Sequence, residues 1–215
     1  MSGVIQATFM NQRSFVIPLP AIGDAYQGGF FAGQISTTAN SIATHNLVVG
    51  PVSSAQSLSK QWKTANTSTS GTSSEIDGPT NSSNMNNASH PAAEFCEGLS
   101  IGGFSDWYMP AINELEVCYY NLKPTTTNNS ASAQSGTNDN AVPSQSGAYS
   151  SGTPAQTSAT NFKDTGTEDF DAAFYWSSTE YYSTKGWFKS FSNGFETFGY
   201  KNNSYRVRAI RRVAV

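Results

Sequence analysis

From Phe170 to the C-terminus the chain carries strand signals and little else. "AFYWSSTE" is one aromatic-rich run. "GWFKSF" and "FETFGY" are two more, and Ser192-Asn193-Gly194 lies between them. Asn-Gly between alternating apolar residues is the strongest short-range hairpin signal, because its turn needs left-handed backbone. "SYRVRAIRRVAV" then closes the chain as one strand. Side chains alternate faces along a strand, so Tyr205, Val207, Ala209 and Val213 share a face, with Arg211 as the odd member. On the hairpin the same parity joins Trp187 to Phe191, facing inward, and sends Phe188 and Ser190 outward. Lys189 has the inward parity, which places it at a bulge or at the rim.

Two stretches change period. In "HPAAEFCEGL", Ala92, Phe95, Cys96 and Leu99 recur at helical spacing, and Pro91 suits the first helical position. Gly98 suits a left-handed residue at the helix end. In "GGFSDWYMPAINELEVCYYNLKP" a helix starts at Pro110, aligns Ile112, Leu115, Cys118, Tyr119 and Leu122, and stops at Pro124. Upstream, "YQGGFFAGQIS" and "HNLVVGPV" read as two strands with glycine turns. Strands and helices in separate runs define an α+β chain: two helices packed on a twisted antiparallel sheet.

The remainder is polar. Ser53 to Ser89 and Thr125 to about Thr167 are Ser/Thr/Asn-rich tracts, read as long insertions near 53–89 and 125–167. Trp62 is expected to pin the first of them to the core. Residues 1–25, with "VIQATF" and "SFVIPL", form a separate N-terminal strand or attachment arm, and 26–215 the main domain. No basic start precedes an unbroken apolar run there, so neither signal peptide nor transmembrane helix is expected.

Charge narrows the functional classes. The net charge is −3 and charged residues make up 13%, which offers nucleic acid or an anionic membrane no general attraction. Arg206, Arg208, Arg211 and Arg212 cluster on the last strand and are read as partners for carboxylates. One such pair is expected between Glu114, on the second helix, and Arg208 or Arg211. Cys96 and Cys118 fit no metal spacing. They read as buried free thiols, with a disulfide between them left open.

"GGFSDWYMPAINELE", "YWSSTEYYS", "GWFKSFSNG" and "KNNSYRVRAIRRV", in that order, resemble the C-type-lectin-like domains of phage tail fibres and bacterial adhesins. They are also similar to the target proteins of diversity-generating retroelements. The resemblance runs from about Gly28 to Val215. It implies framework roles for Trp176, Ser177, Ser178, Glu180, Trp187, Phe191, Gly194, Val207, Arg208, Ala209 and Arg211, and Trp107 and Glu114 are read as structural beside them. It implies ligand contact at Tyr181, Tyr182, Phe188, Lys189, Ser190, Ser192, Phe195, Thr197, Tyr200 and Arg206.

The calcium-dependent sugar signatures of that fold, Glu-Pro-Asn and Trp-Asn-Asp, are absent, so neither a metal nor any other cofactor is expected. His45 and His90 have no nucleophile motif beside them, and Glu114 and Glu116 leave a helix on different faces, so no catalytic set is expected. Tyr, Trp, Ser, Gly and Asn are the residues of antibody-like contact surfaces. The expectation is a phage virion surface protein that recognises a host surface protein or glycan without catalysis. Its N-terminal region would join other virion proteins, and a homo-oligomer such as a trimer would add avidity. The alternatives are a capsid decoration or fibre-anchoring subunit and, third, a secreted bacterial adhesin.

Overall fold

The structure, a computed structural model, describes residues 18–132 and 134–215. The expected strand "VIQATF", and most of "SFVIPL" and of the region 1–25, lie outside the described residues. The strands are β1 Ala25–Tyr26, β2 Gly29–Ile35, β3 His45–Val49, β4 Gln56–Gln61, β5 Ala141–Val142, β6 Phe174–Tyr182, β7 Lys185–Ser190, β8 Glu196–Tyr200, β9 Ser204–Arg208 and β10 Ile210–Ala214. The helices are α1 Val52–Ala55, α2 Gly78–Ser83, α3 Pro91–Glu97 and α4 Ile112–Leu122.

They form two sheets. One has the order β1-β2-β3-β10, with β5 also paired to β2. The other runs β4-β9-β6-β7-β8. All pairs are antiparallel except β6 with β9, which meet in parallel at Tyr175 and Arg206. The expected single closing strand is therefore two strands in two sheets. The break falls at Ala209, whose N–H donates to Ala55 O (2.9 Å) and whose carbonyl accepts from Gly50 N–H (3.0 Å). Those bonds take Ala209 out of either ladder while its side chain stays buried. The expected face survives the break, since Tyr205, Val207, Ala209 and Val213 all join one apolar cluster.

Helix α4 brings Leu115, Cys118, Tyr119 and Leu122 against Ile35 and Leu47 of the first sheet and Tyr175 of the second. A second cluster gathers Trp62, Trp107, Trp176, Phe188, Cys96 and Val207. Cys96 and Cys118 are both free and buried. Helix α3 ends differently from expectation. Gly98 is right-handed, with φ −78°, and the helix closes through Gly98 N–H to Glu94 O (3.1 Å) and Leu99 N–H to Cys96 O (3.3 Å).

The polar tracts are more structured than their composition suggests. The first contains β4, an edge strand, and α2. It is pinned by Trp62, fully buried, whose Nε1 donates to Ser177 O at 2.9 Å. The second is no plain surface loop: Tyr149 and Phe162 are buried within it. It is tied to the β7–β8 turn, where Thr125 Oγ1 donates to Ser192 O (2.7 Å) and Ser130 N–H to Asn193 O (2.8 Å). Gly194 in that turn has φ +71°, and a Cβ there would lie 2.4 Å from the Tyr119 ring. The hairpin thus needs glycine for both conformation and space.

Candidate functional site

Register decides which hairpin residues are free. Across β7 and β8 the pairs are Lys185 with Tyr200, Trp187 with Phe198, and Lys189 with Glu196. Paired residues share a face of the sheet. One row therefore runs from Lys189 and Glu196, deep in the protein, to Lys185 and Tyr200 at its edge.

At the deep end Lys189 is fully buried, contrary to the expectation of ligand contact. It pairs with Glu116 of α4 and, at 2.9 Å, with Glu196. Tyr149 donates a hydrogen bond to Glu116. Burial pushes the Glu116 carboxyl up to about 7, and Glu196 adds to the rise while Lys189 opposes it. The Glu114/Glu116 spacing does send the two carboxylates to different partners, but both are buried. Phe188 and Ser190 have the other parity and are buried as well. Phe188 packs 5.8 Å from Trp176 and 4.7 Å from Tyr205, centroid to centroid. Over this part of β7 packing covers most of both faces, and Phe188 and Ser190 keep only 5% and 4% of their surface exposed.

Toward the β6–β7 turn the cover ends, and the expected inward position of Trp187 is reversed. Trp187 is half-buried and lies on the outer face among Tyr181 (4.7 Å) and Phe198 (5.7 Å). Tyr181 and Phe198 stack at 4.0 Å with rings 12° apart, and Tyr182 lies 4.0 Å from Tyr181. Lys185 Nζ sits 4.7 Å from the Phe198 ring and 5.3 Å from that of Tyr200. Tyr182 is 60% exposed and Tyr200 53%. This is an aromatic row open to solvent, with one cation over it.

A framework holds the row from below. Glu180 accepts from Thr69 N–H (2.7 Å), Ser68 Oγ (3.0 Å) and Lys201 Nζ (2.6 Å). Lys201 is fully buried and stands 4.3 Å over the Trp62 ring. His90 bonds to Thr69 behind it, and burial, with Lys63 and Lys201 adding, lowers its imidazole to about 4.

A second concavity lies on the other face of the sheet, the side to which Ser190 belongs by strand parity. This cleft of about 550 Å³ brings together Ser190, Ser192, Phe195 and Arg206 from the expected contact set. Phe174, Tyr205 and Leu58 complete its walls. Thr197 lines neither surface: it is half-buried on β8 opposite Phe188.

Sequence reasoning missed Lys185, Phe198, Phe174, Tyr205 and Leu58 as surface-forming residues. For Phe198 a signal existed, because the register of the Asn-Gly hairpin sets it across from Trp187. Leu58 and Phe174 come from distant segments and carried none.

The remaining residues expected to be structural lie as follows. Trp107 and Trp176 are buried, with Trp107 Nε1 donating to Phe104 O at 3.1 Å. Phe191 is buried and stacked 4.0 Å from Phe170. The partner of Glu114 is corrected: it is Arg212 (2.6 Å). Arg211, its neighbour on β10, points to the opposite face and binds Asp106 at 2.7 Å. Arg208 is buried and binds Gly50 O (2.9 Å) and Glu168 (3.1 Å). Among the described residues no group of His, Cys, Asp and Glu side chains is arranged to hold a metal ion.

Two sheets closed by a chain that passes from one to the other at Ala209, with α4 between them, define a C-type-lectin-like α+β domain. Residues 54–211, more than half of the chain, match the model of the Lcl C-terminal domain, and the chain belongs to that family. Among solved structures it is similar to a fimbrial protein from Bacteroides ovatus ATCC 8483, at 16% identity and a TM-score of 0.41. That similarity covers 81% of this chain and 36% of the other, so this chain spans well under half of the fimbrial protein's length. No curated protein matches it.

Proposed function

We propose that this is a non-catalytic, adhesin-like recognition domain that binds a protein or glycan on a cell surface through the aromatic row. The observation behind this reading is the exposure of Tyr182 and Tyr200 beside Tyr181, Trp187 and Phe198. Folding gains little from leaving such rings in water, and contiguous exposed apolar patches on soluble domains mark contact surfaces. Tyrosine and tryptophan give broad, stiff contact at small entropic cost. The β-ladders and the buried Glu180–Lys201 pair fix the row in advance, which lowers the cost of ordering on binding.

In this proposal the domain is displayed on a phage particle and contacts a host surface. The N-terminal region joins other virion proteins, and repeated copies raise avidity. The test is adsorption of the purified protein to host cells, compared with a Tyr182→Ser/Tyr200→Ser variant. Both side chains are largely exposed, so the variant should melt like wild type while losing saturable adsorption. Adsorption unchanged in the variant would refute the assignment of the row. Binding to empty capsids with none to cells would instead favour a decoration subunit.

A further inference from the structure

The cleft on the other face calls for its own explanation. Leu58 is 63% exposed, Phe174 43% and Phe195 38%, and all three converge on it with Tyr205. Its volume of about 550 Å³ suits a small ligand or one terminal residue of a chain. Beside these apolar walls stands Arg206, held from behind. Its Nε donates to Asp171 Oδ2 at 2.8 Å. The same oxygen accepts from Gln56 Nε2 (3.2 Å), and Gln56 Oε1 accepts from the hydroxyl of Tyr175 (2.9 Å). Tyr175 is fully buried and its oxygen also accepts from Asp171 N–H at 3.0 Å. The guanidinium is thereby anchored to the core through one edge. Its two terminal nitrogens have no hydrogen-bond partner among the described residues.

We infer that this cleft is a second binding site, taking a single carboxylate attached to an apolar or aromatic body. A guanidinium edge presents two parallel N–H donors at the spacing of carboxylate oxygens. Because Asp171 and Gln56 already fix the side chain, little rotamer freedom is lost when a ligand arrives. Asp171 also sets the charge limit: its negative charge disfavours a dianion, and a monocarboxylate uses the free edge alone. The apolar body covers Leu58, Phe174 and Phe195, which explains their exposure. This site is independent of the aromatic row, which lies across the sheet.

The test uses N-acetyl-phenylalanine and its carboxamide, with binding to the full chain read by NMR titration. A second arm compares acetyl-Gly-Phe with its amide, to distinguish a free acid from a polypeptide end. Saturable binding by at least one acid is expected, weakened about tenfold or more in its amide. Arg206→Gln should weaken the acid to the level of the amide. Leu58→Ser, at an exposed position that does not threaten the fold, should weaken acid and amide together. The Tyr182→Ser/Tyr200→Ser variant should bind the acids like wild type, so failure of the cleft and failure of the row are distinguishable. Equal binding of acid and amide, or no saturation by either acid below about 10 mM, would overturn the inference.

Discussion

Replacing Glu114 with alanine probes the junction between α4 and the C-terminal strand. Glu114 is fully buried. Its carboxylate accepts from Ala111 N–H (2.8 Å), from the Tyr108 hydroxyl and from Arg212 Nε (2.6 Å). The first of these bonds ties down the N–H of Ala111 just before α4, while the first helical N–H groups find other acceptors: Ile112 N–H donates to Thr179 Oγ1 (3.1 Å) and Asn113 N–H to Glu75 O (2.9 Å). Burial pushes this carboxyl up, and Arg212 is the strongest force holding it down. Removing one member of a buried pair leaves the other charge uncompensated, which costs about 3–5 kcal/mol. The lost bond to Ala111 N–H overlaps with that figure rather than adding to it. For a domain of this size each kcal/mol lowers the melting temperature by roughly 2–4 °C, so the drop should be about 6–20 °C. Urea unfolding of wild type, Glu114→Ala, Arg212→Met and Glu114→Leu/Arg212→Met measures it. The double variant should be clearly more stable than the two single losses sum to, because no orphan charge remains. A Glu114→Ala variant within about 1 kcal/mol of wild type would mean that Glu114 and Arg212 are not a buried, mutually dependent pair.

The buried Glu116–Lys189–Glu196 group predicts a pH dependence of stability. Glu116 is raised from 4.5 to about 7 in the folded state. Its stabilising contribution is therefore fully present below pH 4.5 and lost as pH rises through about 7. The margin of wild type over Glu116→Gln should shrink by roughly 2–3 kcal/mol between pH 5 and 8, measured by urea unfolding. Comparing those two proteins cancels His90, whose lowered imidazole pulls the other way as pH falls from 6.5 toward 4. A margin that does not change with pH would rule out that titration. At the β7–β8 turn, Gly194→Ala must force φ +71° on an alanine and press its Cβ into Tyr119. The melting temperature should fall by several degrees, for a cost of about 1–3 kcal/mol, and an unchanged melt would contradict the turn geometry.

Much of the fold was legible because it rests on periodicity. The Asn-Gly hairpin, the apolar stripe of α4 and the strands around Phe30 and Val48 all declare themselves locally. Strand β4 did not: "QSLSKQ" lacks an apolar alternation because it is an edge strand with Leu58 left in solvent. Nor did the break at Ala209, since the alternation of side chains runs straight through it while its backbone partners come from Gly50 and Ala55. The site was half legible for the same reason. Tyr182 and Tyr200 lie at strand ends, where exposure follows from position. Lys189 has inward parity but reads as a bulge or rim residue until α4 brings Glu116 to it, and Trp187 reads as core until the cover over its face runs out. The cleft around Arg206 required Leu58 and Asp171, which only the folded chain brings near.

Hydroxyl-radical footprinting of the domain bound to intact host cells reads out whether the aromatic row is the contact surface. Tyr182, Trp187, Phe198 and Tyr200 should be protected on binding, with Leu58 and Phe174 across the sheet unchanged. Saturable binding in which those four residues stay fully reactive would contradict that role for the row.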